Sequence, residues 1–141
     1  MIHVRRGALL YHIGKMGIPD SVLFKRSPLT DEEEQVVRQH PAIANEILAP
    51  IAYLRPAMDI PYGHHEKWDG TGYPRGLQGE QIPLAARIFA VANAWDEIQQ
   101  RPDRAVMSFD AAQQYMRERA GTLFDPRVVE ALIKLLEGGN I

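Results

Sequence analysis

Apolar residues recur at helical spacing along this chain and no segment alternates with period two, so the pattern predicts an all-α fold. Val4 to Met16 reads as a short helix with Ala8, Leu9 and Ile13 on its apolar side, ended near Gly17 and Pro19. Pro19 to Pro28 reads as a connector. Thr30 to Glu33 spells a capping box, in which the Thr30 hydroxyl accepts a backbone N–H and Glu33 reaches back to the start of the helix. That helix is expected to stop at His40, because Pro41 disfavours helical geometry in the residue before it. Pro41 then opens a second helix with Ile43, Ile47 and Leu48 on one side. Pro50 and Pro56 predict one broken or kinked helix from Ile51 to Gly63. Pro83 opens a central helix over 83–99, where Leu84, Ile88, Val91, Ala92, Trp95 and Ile98 keep helical spacing. Ser108 caps a helix ending at Gly121. Asp125-Pro126 starts a last one that ends at Gly138, so 108–138 reads as C-terminal helices.

Between these helices lies a different texture. Trp68 to Ile82 holds Gly70, Gly72, Pro74, Gly76 and Gly79, too many turn formers for a helix. A long ordered loop inside a compact domain is usually functional. With 141 residues the chain has room for one domain and one core, so 1–141 is expected to be a single unit.

Composition narrows the chemistry. The net charge of −2 gives no support to bulk nucleic-acid binding or to a polybasic membrane surface. No apolar run approaches the roughly 20 residues that span a bilayer. The basic start before a short apolar patch is broken by Tyr11 and His12, so it is not read as a signal peptide. A cytoplasmic location is expected. The chain has no cysteine, so any metal must be held by His, Asp or Glu.

Five histidines are available: His3, His12, His40, His64 and His65. His3 stands alone. His64 and His65 end a predicted helix, lead into the glycine-rich loop, and have Glu66 beside them. Neighbours on a regular helix point about 100° apart. Both can serve one site only if it is multinuclear or if the helix end is distorted. On spacing alone, the pair suits a solvated helix end as well as a metal site.

The block His64 to Ile98, HHEKWDGTGYPRGLQGEQIPLAARIFAVANAWDEI, resembles the signature region of HD-GYP domains. So do HIGKMGIPDSVLFKRSPLTDEE from His12 and QHP around His40, and FDPRVVEAL from Phe124. The likeness covers nearly all of the chain, in family order. It implies an HD-domain helical bundle with a long ordered loop around Gly72-Tyr73-Pro74. It also implies metal-dependent phosphohydrolase chemistry, with two or three iron or manganese ions, acting on cyclic di-GMP. By the same resemblance, His40, His64 and His65 match metal ligands, and Lys15 matches a lysine that neutralises substrate phosphate. Tyr73 and Pro74 border the ligand, and Arg101 and Arg104 match basic positions facing its phosphates, where a solvated loop would explain the two arginines equally well. The loop also implies a protein partner such as a diguanylate cyclase domain.

Three departures set this chain apart from that pattern. Tyr11-His12 stands where the family has His-Asp. Asn93 stands where it has an Asp ligand. The family's first core helix has no match here, so 1–20 reads as a degenerate version of the metal helix and its turn. A second chain, as in a homodimer, is expected to cover the face of Val4 to Met16 left open. A neutral imidazole has one lone pair and cannot bridge two ions, and hard cations prefer oxygen. A dinuclear centre is therefore not expected. A single divalent ion at His40, His64 and His65, with His12 and Asp96 as further candidates, or no ion at all, is expected instead. The favoured function is a catalytically impaired module that binds cyclic di-GMP or a protein in bacterial signalling. The alternatives are an active phosphodiesterase with an altered metal site and a remnant that binds nothing.

Overall fold

The structure, a computed structural model, describes residues 1–100 and 107–139. Among them the fold is all-helical, with eight α-helices, three 3₁₀ turns and only isolated bridges in place of strands. None of these helices is long and apolar enough to cross a membrane.

The chain opens with α1 (Ile2–Leu10), which stops short of the predicted Met16. Tyr11 and His12 turn, and a 3₁₀ segment (Ile13–Gly17) follows. The break has a steric cause. This 3₁₀ segment lies directly on the start of α4 (His40–Leu48). A methyl on Gly14 would overlap the His40 carbonyl oxygen and lie 2.7 Å from its carbon and 2.8 Å from the Ala44 nitrogen. Glycine alone permits that approach. A short α2 (Asp20–Leu23) occupies the predicted connector. The capping box forms as read: Thr30 Oγ1 accepts from the Glu33 N–H, and Glu33 accepts from the Thr30 N–H.

The helix opened by that box, α3 (Asp31–Val37), ends before His40, which instead begins α4. Pro41 is tolerated there because the first-turn N–H groups have no intrahelical partner to lose. The buried side of α4 is His40, Pro41, Ala44 and Leu48, whereas Ile47 is exposed, contrary to the expected face. The broken helix is as read: a 3₁₀ turn (Ala52–Ala57) precedes α5 (Asp59–Gly63).

The central helix α6 (Leu84–Gln100) packs through Val91 and Ile98 against α7 (Phe109–Glu118) and α8 (Pro126–Glu137). Ala112, Met116, Phe124, Val129 and Ile133 complete that core. The outer part of its apolar stripe is not core. Leu84, Ile88 and Ala92 line an open groove of about 700 Å³ with Val128, Leu132 and Leu135. Ser108 and Asp125 cap their helices as expected. Asp125 is buried, and it also takes a 2.6 Å ion pair from Arg87, which ties α8 to α6.

Candidate metal centre

Two helix ends converge beside the glycine-rich loop. The start of α4 brings His40, and the end of α5 brings His64 and His65. His64 is the C-cap residue of α5 and His65 lies past it, in a turn closed by the Glu66 N–H on the Gly63 carbonyl. The helix end is therefore distorted, and this is what lets two adjacent histidines face one point. One ring nitrogen from each of His40, His64 and His65 lies within 4.8 Å of the others.

Hydrogen bonding decides which nitrogens are free. His40 Nδ1 donates to the Val37 carbonyl at 2.8 Å, and His64 Nδ1 donates to the Ile60 carbonyl at 3.0 Å. Each ring then presents Nε2 as a bare lone pair, and these two atoms are 3.3 Å apart. Two neutral lone pairs do not bond each other, but they do suit a shared cation. Backbone carbonyls on the far ring nitrogen are also a usual way to orient metal-bound imidazole.

Protonation of these rings is disfavoured. Burial, followed by the neighbouring imidazoles, pushes His64 down to about 4. Burial, then His64, His40 and the Lys15 ammonium, pushes His65 to about 3. His40 is lowered by burial and by Lys15. At neutral pH the trio is a set of uncharged donors, as metal binding requires. The donor chemistry fits a divalent ion that imidazole suits, such as Zn²⁺, Ni²⁺ or Fe²⁺.

The other expected residues are placed as follows. His12 stacks on Tyr11 with ring centres 3.7 Å apart, and its own ring centre is 6.4 Å from those of His40 and His64. It sits at the rim, and its nitrogens are outside the group within 4.8 Å. Burial and Lys15 lower it to about 4. Tyr11 packs edge-on against His64. Asn93 lines a cavity of about 190 Å³ with His64 and His65. Asp96 is exposed and accepts from Gln100, whereas Glu97 lines that cavity. Side chains one residue apart on α6 point about 100° apart. Arg101 and Arg104 lie outside the described residues.

The loop is locked onto the trio. The Tyr73 ring stacks on His65, with centres 4.7 Å apart and planes 16° apart, and the Tyr73 N–H donates to the His65 carbonyl. Pro74 follows through a cis peptide. Gly72 admits no side chain, because a methyl would lie 2.5 Å from the His65 carbonyl oxygen and 2.6 Å from Glu66 Cα. Glu66 is the functional residue that sequence reading undervalued. Its side chain is 0% exposed and accepts the backbone N–H groups of Arg75 at 2.8 Å and Leu77 at 2.9 Å. It clamps the far limb of the loop from the turn that carries His65. The signal was its place directly after the paired histidines.

The model of the HD domain family matches residues 1–128. The chain belongs to the HD domain family. The HD-GYP likeness of its motifs is supported by its relatives. It is 46% identical over 140 residues to a cyclic di-GMP phosphodiesterase of Vibrio cholerae, covering 94% of this chain and 28% of that protein. It is 43% identical over 134 residues to a cyclic di-GMP phosphodiesterase response regulator of Xanthomonas campestris, covering 93% of this chain and 35% of that one. A 3′3′-cGAMP-specific phosphodiesterase of Vibrio cholerae is 40% identical over 136 residues, covering 96% of this chain and 30% of its own. The chain therefore spans about a third of the length of these relatives. A crystal structure of a cyclic GMP-AMP specific phosphodiesterase from Vibrio cholerae superposes with a TM-score of 0.70 at 21% identity, over 96% of this chain and 38% of that one. At that identity it supports the HD-domain fold.

Proposed function

We propose that this chain is a cytoplasmic HD-GYP module of bacterial cyclic-dinucleotide signalling that holds one divalent ion and hydrolyses cyclic di-GMP poorly. The observation that carries the proposal is the convergence of three neutral imidazoles, two of them with Nδ1 committed and Nε2 atoms 3.3 Å apart. His40, His64 and His65 would hold the ion, which would supply Lewis-acid polarisation of a phosphoryl oxygen. The chain's own residues do the rest. Lys15 offers a compact positive charge to a phosphate. Tyr73 and Pro74 form the wall against which a base or ribose rests, and Tyr73 holds the His65 ring in place.

Two-ion hydrolysis uses a carboxylate that gives an oxygen to each ion. The trio is imidazole only, Tyr11 and His12 stand at the His-Asp position, and Asn93 carries a neutral amide. This donor set supports one ion and therefore binding without efficient turnover. The names of the relatives favour a second reading, an active phosphodiesterase. Calorimetry with cyclic di-GMP, together with product analysis in Mn²⁺ or Fe²⁺, separates the two. We expect binding heat and little linear product. Rapid turnover that His64→Ala abolishes would establish the second reading. No heat would leave a protein partner, such as a diguanylate cyclase domain docking on the loop, as the ligand. Homodimerisation is part of the proposal and is tested by light scattering across a concentration series, where a monomer throughout would remove it.

A further inference from the structure

A cation stands beside the trio with no partner of its own. Arg38 is the C-cap residue of α3 and lies just before His40, so the helix junction that delivers the first imidazole also delivers this guanidinium. Its Cζ lies 5.4 Å from the centre of the Tyr73 ring, within cation–π range. That ring is itself stacked on His65. Arg38 is thus one aromatic ring removed from the trio. It is exposed, and among the described residues its guanidinium meets no carboxylate and no other acceptor. Five N–H donors in a fixed fork are left for a ligand. Lys15 is placed differently. It comes from the 3₁₀ segment packed on the start of α4, and its ammonium acts directly on His12, His40 and His65. It too has no carboxylate partner among the described residues. Two unpaired cations therefore stand at two removes from the trio. A phosphate on the ion is met by Lys15, and a second phosphate needs a cation further out.

We infer that Arg38 binds the second phosphate of the ligand, the one that is not on the ion, and so selects nucleotides that carry two phosphate groups. This rests on the reading of the site as one for cyclic dinucleotides. A guanidinium suits the task because its fork matches phosphate oxygens in pairs. Contact with the Tyr73 ring holds the side chain near its working position, which reduces the ordering it must undergo on binding. Arg38 reaches no reacting atom in this arrangement. It is a binding and positioning residue, and its loss should appear in affinity.

The test is calorimetry on the whole chain, with Zn²⁺ alone and then, in Zn²⁺, with cyclic di-GMP and with the linear dinucleotide GpG. GpG keeps both guanines but carries a single phosphate. Arg38→Ala should weaken cyclic di-GMP about 10-fold, as loss of an exposed charge-assisted hydrogen bond does, and GpG by less than about 2-fold. Arg38→Lys keeps the charge and should recover most of the affinity. Zn²⁺ binding should stay the same in both variants, because the trio is untouched. Arg26→Ala removes the same charge from an exposed bend before the capping box and should change none of these values. Unchanged cyclic di-GMP affinity in Arg38→Ala would overturn the inference and leave the reading of the site standing. Equal losses for cyclic di-GMP and GpG would overturn it in favour of a base contact. A parallel loss of Zn²⁺ affinity would overturn it in favour of an arginine that only props Tyr73 against His65. A wild-type chain that binds Zn²⁺ but not cyclic di-GMP would overturn both the inference and the reading beneath it.

Discussion

Gly14→Ala tests the packing that places the first histidine of the candidate metal centre. The added methyl would overlap the His40 carbonyl oxygen and lie 2.7 Å from its carbon and 2.8 Å from the Ala44 nitrogen. Carbon contacts are comfortable near 3.5 Å, so α4 must retreat by about 0.8 Å or more. Every clashing atom is backbone, so no rotamer change relieves it. Overpacking costs about 1–3 kcal/mol and this site belongs at the upper end. Alanine returns roughly 0.4–1 kcal/mol by stiffening the unfolded chain. The net loss is about 2 kcal/mol, equivalent to roughly 7 °C in Tm for a domain of this size. Thermal unfolding by circular dichroism measures it, and a Zn²⁺ titration should show weakened binding because His40 moves with α4. Gly17→Ala is the control, since its methyl meets only the Ile43 side chain, at 2.9 Å, and no backbone. A Gly14→Ala protein melting within about 1 °C of wild type, or a costlier Gly17→Ala, would refute the reasoning.

Glu66→Ala leaves the Arg75 and Leu77 N–H groups without their buried acceptor, at about 1–3 kcal/mol each; hydrogen exchange should speed up across 71–79 and metal affinity should fall. Asp125→Ala removes a helix cap and strands Arg87, costing about 3–5 kcal/mol in chemical denaturation. Hydrogen bonds from Arg127 and Arg87 outweigh burial and hold the Asp125 carboxyl below its ordinary 3.8. Its stabilisation is complete above that value and is lost as pH falls through the depressed one, so Asp125→Ala should flatten the acid limb of the stability curve. The metal-free protein should also lose stability as pH falls from 6.5 toward about 4, because the unfolded chain binds protons that His64 and His65 refuse. His64→Ala should shrink that loss, as read from urea midpoints at each pH.

Much of this molecule is legible residue by residue. Thr30, Ser108 and Asp125 cap helices through bonds that span two or three residues, a reach that sequence displays directly. The prolines and glycines marked the broken segment before His64 and the long loop after it. The paired histidines and the loop motif marked the candidate site. Asp96, a further candidate on α6, is exposed and bonded by Gln100, one residue of helix rotation from the cavity that Glu97 lines. The extended Val4 to Met16 helix failed for a different reason: its periodicity continues, but Gly14 is held against the His40 carbonyl, 26 positions away in the chain.

The sequence alone determined the helix caps, the broken segment, the long loop and the later helices, because caps, breakers and hydrophobic period act over a few residues. Only the tertiary structure decided how closely His40 meets His64 and His65 and that Glu66 clamps the loop through Arg75 and Leu77. It alone also turned half of the α6 stripe to an open groove. Those outcomes depend on how separate segments approach one another, and on whether a backbone can come close enough to do so.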